Sequence, residues 1–197
     1  MQVKEVLIVD VKRVVDIHQD SFKGFFLTTL GPKFLQSYYK ILLKDKGATF
    51  IGCYIDNQLQ GFCSVANSAK GFNKRLIKAN ILTFITIGAK LAFTKPIAII
   101  RLIKNLEKSS HIEDKGDYSE VLSIAVSKSI QGKGAGKKML LFLEEKLKKE
   151  NYQRLSLTTD YYNNEAAIQF YKKTGYKVFF EFMTYPNRRM YRFIKNI

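Results

Sequence analysis

The chain has few of the residues on which many function classes depend. It holds only two cysteines, two histidines and three prolines in 197 residues. The histidines, His18 and His111, stand alone with no metal-ligand spacing around them, so a histidine-based metal centre is not expected. The cysteines, Cys53 and Cys63, flank an Asp56-Asn57 turn. If the two runs pair around that turn, Cys53 falls opposite Gln60 and Cys63 opposite Phe50, too far apart for a disulfide. Reduced, buried thiols in a cytoplasmic protein are therefore expected. Long apolar runs are also missing. The longest uncharged candidate, Ala79 to Ala89, has eleven residues against the roughly 20 that a bilayer span needs. The first ten residues lack the basic start and small-residue cleavage site of a signal peptide. There is no internal repeat and no low-complexity segment.

What is present is a folded, strongly basic chain. Hydrophobic residues make up 46% and aromatics 13%, which suits a single globular domain over 1–197. Thirty-three Lys and Arg face seventeen Asp and Glu, a net charge of +16 that favours anionic partners. Nucleic acid is not specifically expected, because the basic residues are dispersed and no helix-turn-helix or aromatic RNA-binding signature occurs.

Periodicity divides the chain into alternating elements. Val3 to Val9 reads as a strand, and Val11, Val14, Val15, Ile17 or His18, and Phe22 have helical spacing. Pro32 is placed to open a helix through Leu43, and the runs 49–55 and 59–66 form a hairpin. Residues 68–118 read as a helical insertion broken near Pro96, with a lid, a dimer surface or a peripheral membrane contact as its open roles. After it come a strand at 120–126, a helix with Met139, Leu140, Leu143 and Leu147 inward and Glu144 outward, and a strand at 154–159. A helix follows from Asn164 to Thr174, stopped by Gly175, and the chain ends in a hairpin around Pro186-Asn187.

The densest signal is Gln131-Gly132-Lys133-Gly134-Ala135-Gly136, placed between a strand and a helix. Glycine is costly within a helix, by about 1 kcal/mol relative to alanine, so this cluster needs a local use. Amide groups at a helix start offer one, an anion site. The loop has neither the Lys-Ser/Thr ending of a nucleotide P-loop nor the spacing of a dinucleotide fold.

Together with Asn164, Ala167, Phe170, Tyr171, Gly175 and Tyr176 downstream, the loop closely resembles the GNAT superfamily of acetyl-CoA-dependent N-acetyltransferases. The resemblance implies an α/β fold, with a mixed, mostly antiparallel sheet of about seven strands flanked by helices. It implies acetyl-CoA as co-substrate without a metal, its pyrophosphate on the amides from Gly132 to Lys137 with positive charge from Lys133, Lys137 and Lys138, and Gln131 and Asn164 also in the cofactor site. Gly134 and Gly136 would allow close backbone approach, with Ala135 between them. Ile124, Ala125 and Val126 would lie along the pantetheine arm, with the Ile124 amide as oxyanion donor. Tyr171 matches the family's acid, against a plain core aromatic beside Phe170. Glu120 matches the glutamate base of one branch, against a solvated carboxylate, with Asp117, Glu113 and Asp160 as reserves. The acceptor implied is a small-molecule primary amine. The family builds its acceptor site from segments that here are residues 22–35 and the insertion. Residues 22–35 resemble a subset of these proteins found with bacterial surface-sugar pathways, which points to an amino sugar, with protein lysine, an antibiotic amine and a polyamine also open. The rival reading is a non-catalytic module on the same fold that binds acyl-CoA, a membrane surface or nucleic acid.

Overall fold

The computed structural model describes residues 1–86 and 114–197. Its centre is one seven-stranded sheet in the order β1-β2-β3-β4-β5-β7-β6. The strands are β1 Gln2–Glu5, β2 Ala48–Ile55, β3 Gln58–Ala66, β4 Ser119–Val126, β5 Arg154–Asp160, β6 Lys177–Thr184 and β7 Arg188–Asn196. Neighbouring strands run antiparallel except β4 and β5, which are parallel. The mostly antiparallel mixed sheet expected from the resemblance is the one observed.

Helices cover both faces because their apolar stripes match the sheet's alternation. On one face, α1 (Val11–Ser21) and α3 (Pro32–Lys44) bury Val14, Val15, Leu35 and Tyr39 against Phe50, Phe62 and Ala125. The short α2 (Phe26–Thr29) joins them, and Pro32 occupies the first turn of α3, where its missing N–H costs nothing. On the other face, α5 (Ala135–Lys149) sets Met139, Leu140, Leu143 and Leu147 on Cys63, Val65 and Leu157. Each such leucine contributes about 1.5–3 kcal/mol on burial. Beside α5 lies α6 (Glu165–Lys173), which buries Tyr171. Of the insertion, α4 (Phe72–Ala79) and a helical stretch at 81–86 are described. Ile81, Leu82 and Ile85 on that stretch are exposed. The expected break near Pro96 lies outside the described residues, as do His111 and Glu113. No helix among the described residues is long and apolar enough to cross a membrane.

Three local expectations change. The first strand stops at Glu5, and the chain turns through a one-turn 3-10 helix at Ile8–Asp10 that leaves Leu7, Ile8 and Val9 exposed. Glu144, expected outward, is buried, because it lies four residues after Leu140 on the same helical face. Its carboxylate accepts hydrogen bonds from the Tyr176 hydroxyl at 3.0 Å and the Lys195 ammonium at 2.6 Å.

The hairpin register also shifts. Asp56 and Asn57 both adopt positive φ, making a two-residue turn that pairs Ile55 with Gln58. An irregularity after Tyr54↔Leu59 then skips Gln60, so Cys53 sits opposite Gly61 and Cys63 opposite Ile51. Both thiols are free and fully buried, and burial raises the pKa of each. Neither cysteine is expected to react with a thiol reagent in the native protein, and both should react in denaturant. Rapid native labelling of either one would contradict this packing.

Candidate active site

The strands β4 and β5 pair only at Ser119↔Leu155, Glu120↔Ser156 and Val121↔Leu157. Beyond that point β4 stays with β3 as far as Val126, and β5 stays with β7 as far as Asp160. The two therefore part, and the facing backbone edges of 122–126 and 158–160 have no strand partner. A bulge marks the parting. Ser64 pairs with Ser123 while Val65 pairs with Val121, leaving Leu122 as the extra residue. Such a bulge bends and twists its strand, here at the point where β4 leaves β5. The cleft that opens has a volume of about 970 Å³. That is ample for a small-molecule site.

The glycine loop closes one end of this cleft. Ser127 is tied to Gln60 by a backbone bond of 2.7 Å, a 3-10 turn spans Lys128–Ile130, and α5 begins at Ala135. Gly132 and Gly134 hold φ of +75° and +80°, a left-handed conformation that glycine adopts without strain. A Cβ on either would meet open space, so the conformation rather than crowding requires glycine there. Gly136 differs. A Cβ on it would come within 3.2 Å of the Phe170 ring, so this glycine allows α5 to pack against α6.

Among the described residues, no backbone or side-chain group accepts from the amides of Gly132, Gly134, Ala135, Gly136 or Lys137. The Lys133 amide is different, because it donates to the Ile130 carbonyl at 3.2 Å. With no acidic side chain in the first turn of α5, the free amides and the positive helix end form an anion cradle facing the cleft.

Of the residues singled out in the sequence, Ile124, Ala125, Val126, Gln131, Gly132, Gly134, Ala135, Gly136, Lys137, Asn164 and Tyr171 all line the cleft. Lys133 is exposed and not among the lining residues. Asn164 occupies the position before α6, but its side chain turns back to β5. Its amide donates to the Asp160 carbonyl at 3.1 Å and to the Thr159 hydroxyl. Tyr171 packs its ring among Phe170, Tyr176 and Phe193. Among the described residues its hydroxyl has no hydrogen-bond partner, and burial raises its pKa above the ordinary phenol range.

The carboxylates stand otherwise. Glu120 is not among the residues lining the cleft and accepts from Arg192 Nη1 at 3.0 Å. Arg192 is 2% exposed, also donates to the Ser156 hydroxyl at 3.1 Å, and is ringed by Tyr118, Phe180 and Phe182. Asp114 lies 3.3 Å from its Nε, an ion pair without hydrogen-bond geometry. Asp160 does line the cleft, but Arg188 engages both of its oxygens. Asp117 is exposed and not among the lining residues.

On the far wall of the cleft, the resemblance anticipated Phe22, Phe25 and Phe26 within residues 22–35, while sequence reasoning missed His18, Arg188 and Met190. His18 falls on the buried stripe of α1, seven residues after Val11, which the periodicity does signal. That it carries a polar atom with no protein partner depends on tertiary packing. Its Nδ1 meets the Tyr39 hydroxyl at 2.6 Å while Nε2 is unpartnered, and burial pulls its pKa down to about 4. The guanidinium of Arg188 lies 4.2 Å from the centre of the Phe25 ring.

The Glu120–Arg192 pair leads to a stability test. Glu120→Gln is expected to lower unfolding stability by about 1–3 kcal/mol, because a buried guanidinium loses a charged partner. Chemical denaturation measures it; a loss within about 0.5 kcal/mol is what a solvated carboxylate would give.

The comparisons with known proteins agree with this geometry. The model of the Acetyltransferase (GNAT) family matches residues 11–176. Among solved structures, the chain is similar to a ribosomal-protein-alanine N-acetyltransferase from Brucella melitensis, with a TM-score of 0.64, 13% identity and 100% of each chain covered. It is also similar to the ribosomal-protein-S18-alanine N-acetyltransferase from Escherichia coli, at a TM-score of 0.61 and 13% identity over 100% of this chain and 93% of that one. The PaiA N-acetyltransferase from Thermoplasma acidophilum, solved in complex with coenzyme A, gives a TM-score of 0.56 and 15% identity over 100% and 98%. None of the curated proteins matches the chain. The family model spans the cleft, the glycine loop and α6, and the chain belongs to the Acetyltransferase (GNAT) family of acetyl-CoA-dependent N-acetyltransferases.

Proposed function

We propose that this chain acetylates the primary amine of a small molecule, and that an amino sugar is the acceptor class its cleft fits best. The observation that carries this reading is the far wall of the cleft. Phe22, Phe25 and Phe26 offer apolar faces beside a neutral His18, and Asp160, already paired with Arg188, is the only carboxylate among the lining residues described. A sugar ring presents C–H faces to aromatics and hydroxyls to a few polar groups. A polyamine would need free carboxylates, and the +16 net charge opposes its approach.

Acetyl-CoA brings the acetyl group as a thioester, with the coenzyme leaving as a thiol. The chain's own residues supply the rest. The free amides of Gly132 and Gly134 to Lys137 hold the pyrophosphate at the positive end of α5, and the side chain of Lys137 adds charge there. The unpaired edge of β4 along Ile124, Ala125 and Val126 takes the pantetheine arm as an added strand would, and the Ile124 amide faces the acetyl oxygen. Tyr171 delivers a proton to the departing sulfur. Its place on the cleft supports that role, because the phenol is protonated at neutral pH.

Two variants test the two ends of the site. Gly134→Val forces a β-branched residue into left-handed backbone, so it should weaken acetyl-CoA binding at least tenfold, about 1.4 kcal/mol, in calorimetry. Unchanged affinity in a folded variant would remove the loop from the cofactor site. Tyr171→Phe keeps the ring and should leave acetyl-CoA affinity unchanged while kcat falls about 100-fold. A wild-type rate, with chemistry limiting, would reduce Tyr171 to a core aromatic.

The acceptor is read by coenzyme A release with glucosamine, spermidine and an alanine-terminated peptide. Preference for glucosamine is expected. Turnover with the peptide alone would replace the small-molecule reading with a protein acceptor.

A further inference from the structure

We propose that His18 receives the proton of the acceptor amine on its unpartnered Nε2, with Nδ1 held by the Tyr39 hydroxyl. This deepens the acetyl-transfer reading above and rests on it.

A buried polar atom without a partner is uncommon and costly unless something meets it. His18 is 2% exposed and among the residues lining the cleft, and its Nε2 is buried and unpartnered. The rest of the ring is fixed. Nδ1 lies 2.6 Å from the Tyr39 hydroxyl, and the Phe22 ring packs against the imidazole at a centroid distance of 4.7 Å. Tyr39 is fully buried.

With the Nδ1 hydrogen donated to the Tyr39 hydroxyl, Nε2 is a bare acceptor, and this is the tautomer the proposal assigns. Burial keeps the imidazole neutral near pH 7, so the lone pair is available. A weak base suffices, because an amine nitrogen becomes far more acidic as it bonds to the acetyl carbon. The carboxylates described do not compete for this task. Glu120 is held by Arg192, Asp160 by Arg188, and Asp117 lies outside the cleft.

His18 reaches the cleft from α1 on one face of the sheet and Tyr171 from α6 on the other. The balance is complete with these two. The amine nitrogen bonds to the acetyl carbon, the carbon–sulfur bond breaks, and the sulfur takes the Tyr171 proton. The amine proton passes to His18 Nε2. Solvent then takes that proton from His18 and restores one to Tyr171.

Two measurements test the proposal. The chain has only two histidines, so nitrogen-15 histidine labelling with a His111→Gln variant assigns the spectrum unambiguously. At neutral pH the expected His18 signals are a pyridine-type Nε2 and a pyrrole-type Nδ1. A hydrogen on Nε2 overturns the proposal whatever the acceptor is. In kinetics, His18→Gln should lower kcat/KM for the amine about 100-fold while acetyl-CoA affinity stays at the wild-type value. A folded variant within threefold of wild type overturns it too. Absence of wild-type turnover with every amine would instead count against the transfer reading, a distinct result from a wild type that turns over and a His18 variant that matches it.

Discussion

Three consecutive pairings between β4 and β5 that are not followed by a fourth are the constraint on which the rest of this molecule depends. Buried backbone N–H and C=O groups are costly when unpaired, so two strands that part inside a sheet must expose their edges to water or to a ligand. Here the bulge at Leu122 turns β4 away, β7 keeps β5 in place through Asp160↔Met190, and the cleft forms between them. The glycine loop follows β4 directly, so the start of α5 points into the same opening. One geometric event thus brings an unpaired strand edge, an anion cradle and Tyr171 to a single place.

Charge in and around the cleft is divided by function. The loop end carries free amides and Lys137, with no acid in the first turn of α5. Acids near the opposite end are neutralised by built pairs. Arg188 lies across Asp160 and over Phe25, and the buried Arg192 joins Glu120 and Asp114 within an aromatic ring of Tyr118, Phe180 and Phe182. Such a buried pair is weak evidence for net stability but costly to break from one side. Arg192 also joins Asp114, in the segment that returns from the insertion, to Glu120 at the start of β4, next to the strands' last shared pairings.

Much of this was legible because it is local. The stripes of α1, α3 and α5 follow helical period, Pro32 and Gly175 mark element ends, and the loop announces itself by composition. What was not legible depends on residues far apart. The spacing from Glu120 to Gln131 carries no sign of Arg192, 72 residues away, which occupies that carboxylate. Periodicity offers Ile17 or His18 for the inner stripe of α1 and both are buried, yet the open Nε2 depends on Tyr39, 21 residues on, having taken Nδ1. Glu144 was set outward by its charge, whereas Tyr176 and Lys195 supply partners that make its burial tolerable. The cysteine register failed for one extra residue, Gln60, which no alternation pattern marks.

Amide hydrogen exchange along β4, with and without acetyl-CoA, tests the central claim most directly. In the free protein, amides within 122–126 that face away from β3 should exchange quickly, while those of Ser119 to Val121 at the shared pairings are slow. Saturating acetyl-CoA should protect that fast set together with the amides of Gly132 and Gly134 to Lys137. Exchange along 122–126 that is unchanged by bound acetyl-CoA would contradict the account, because the coenzyme would then lie somewhere other than the parting of β4 from β5.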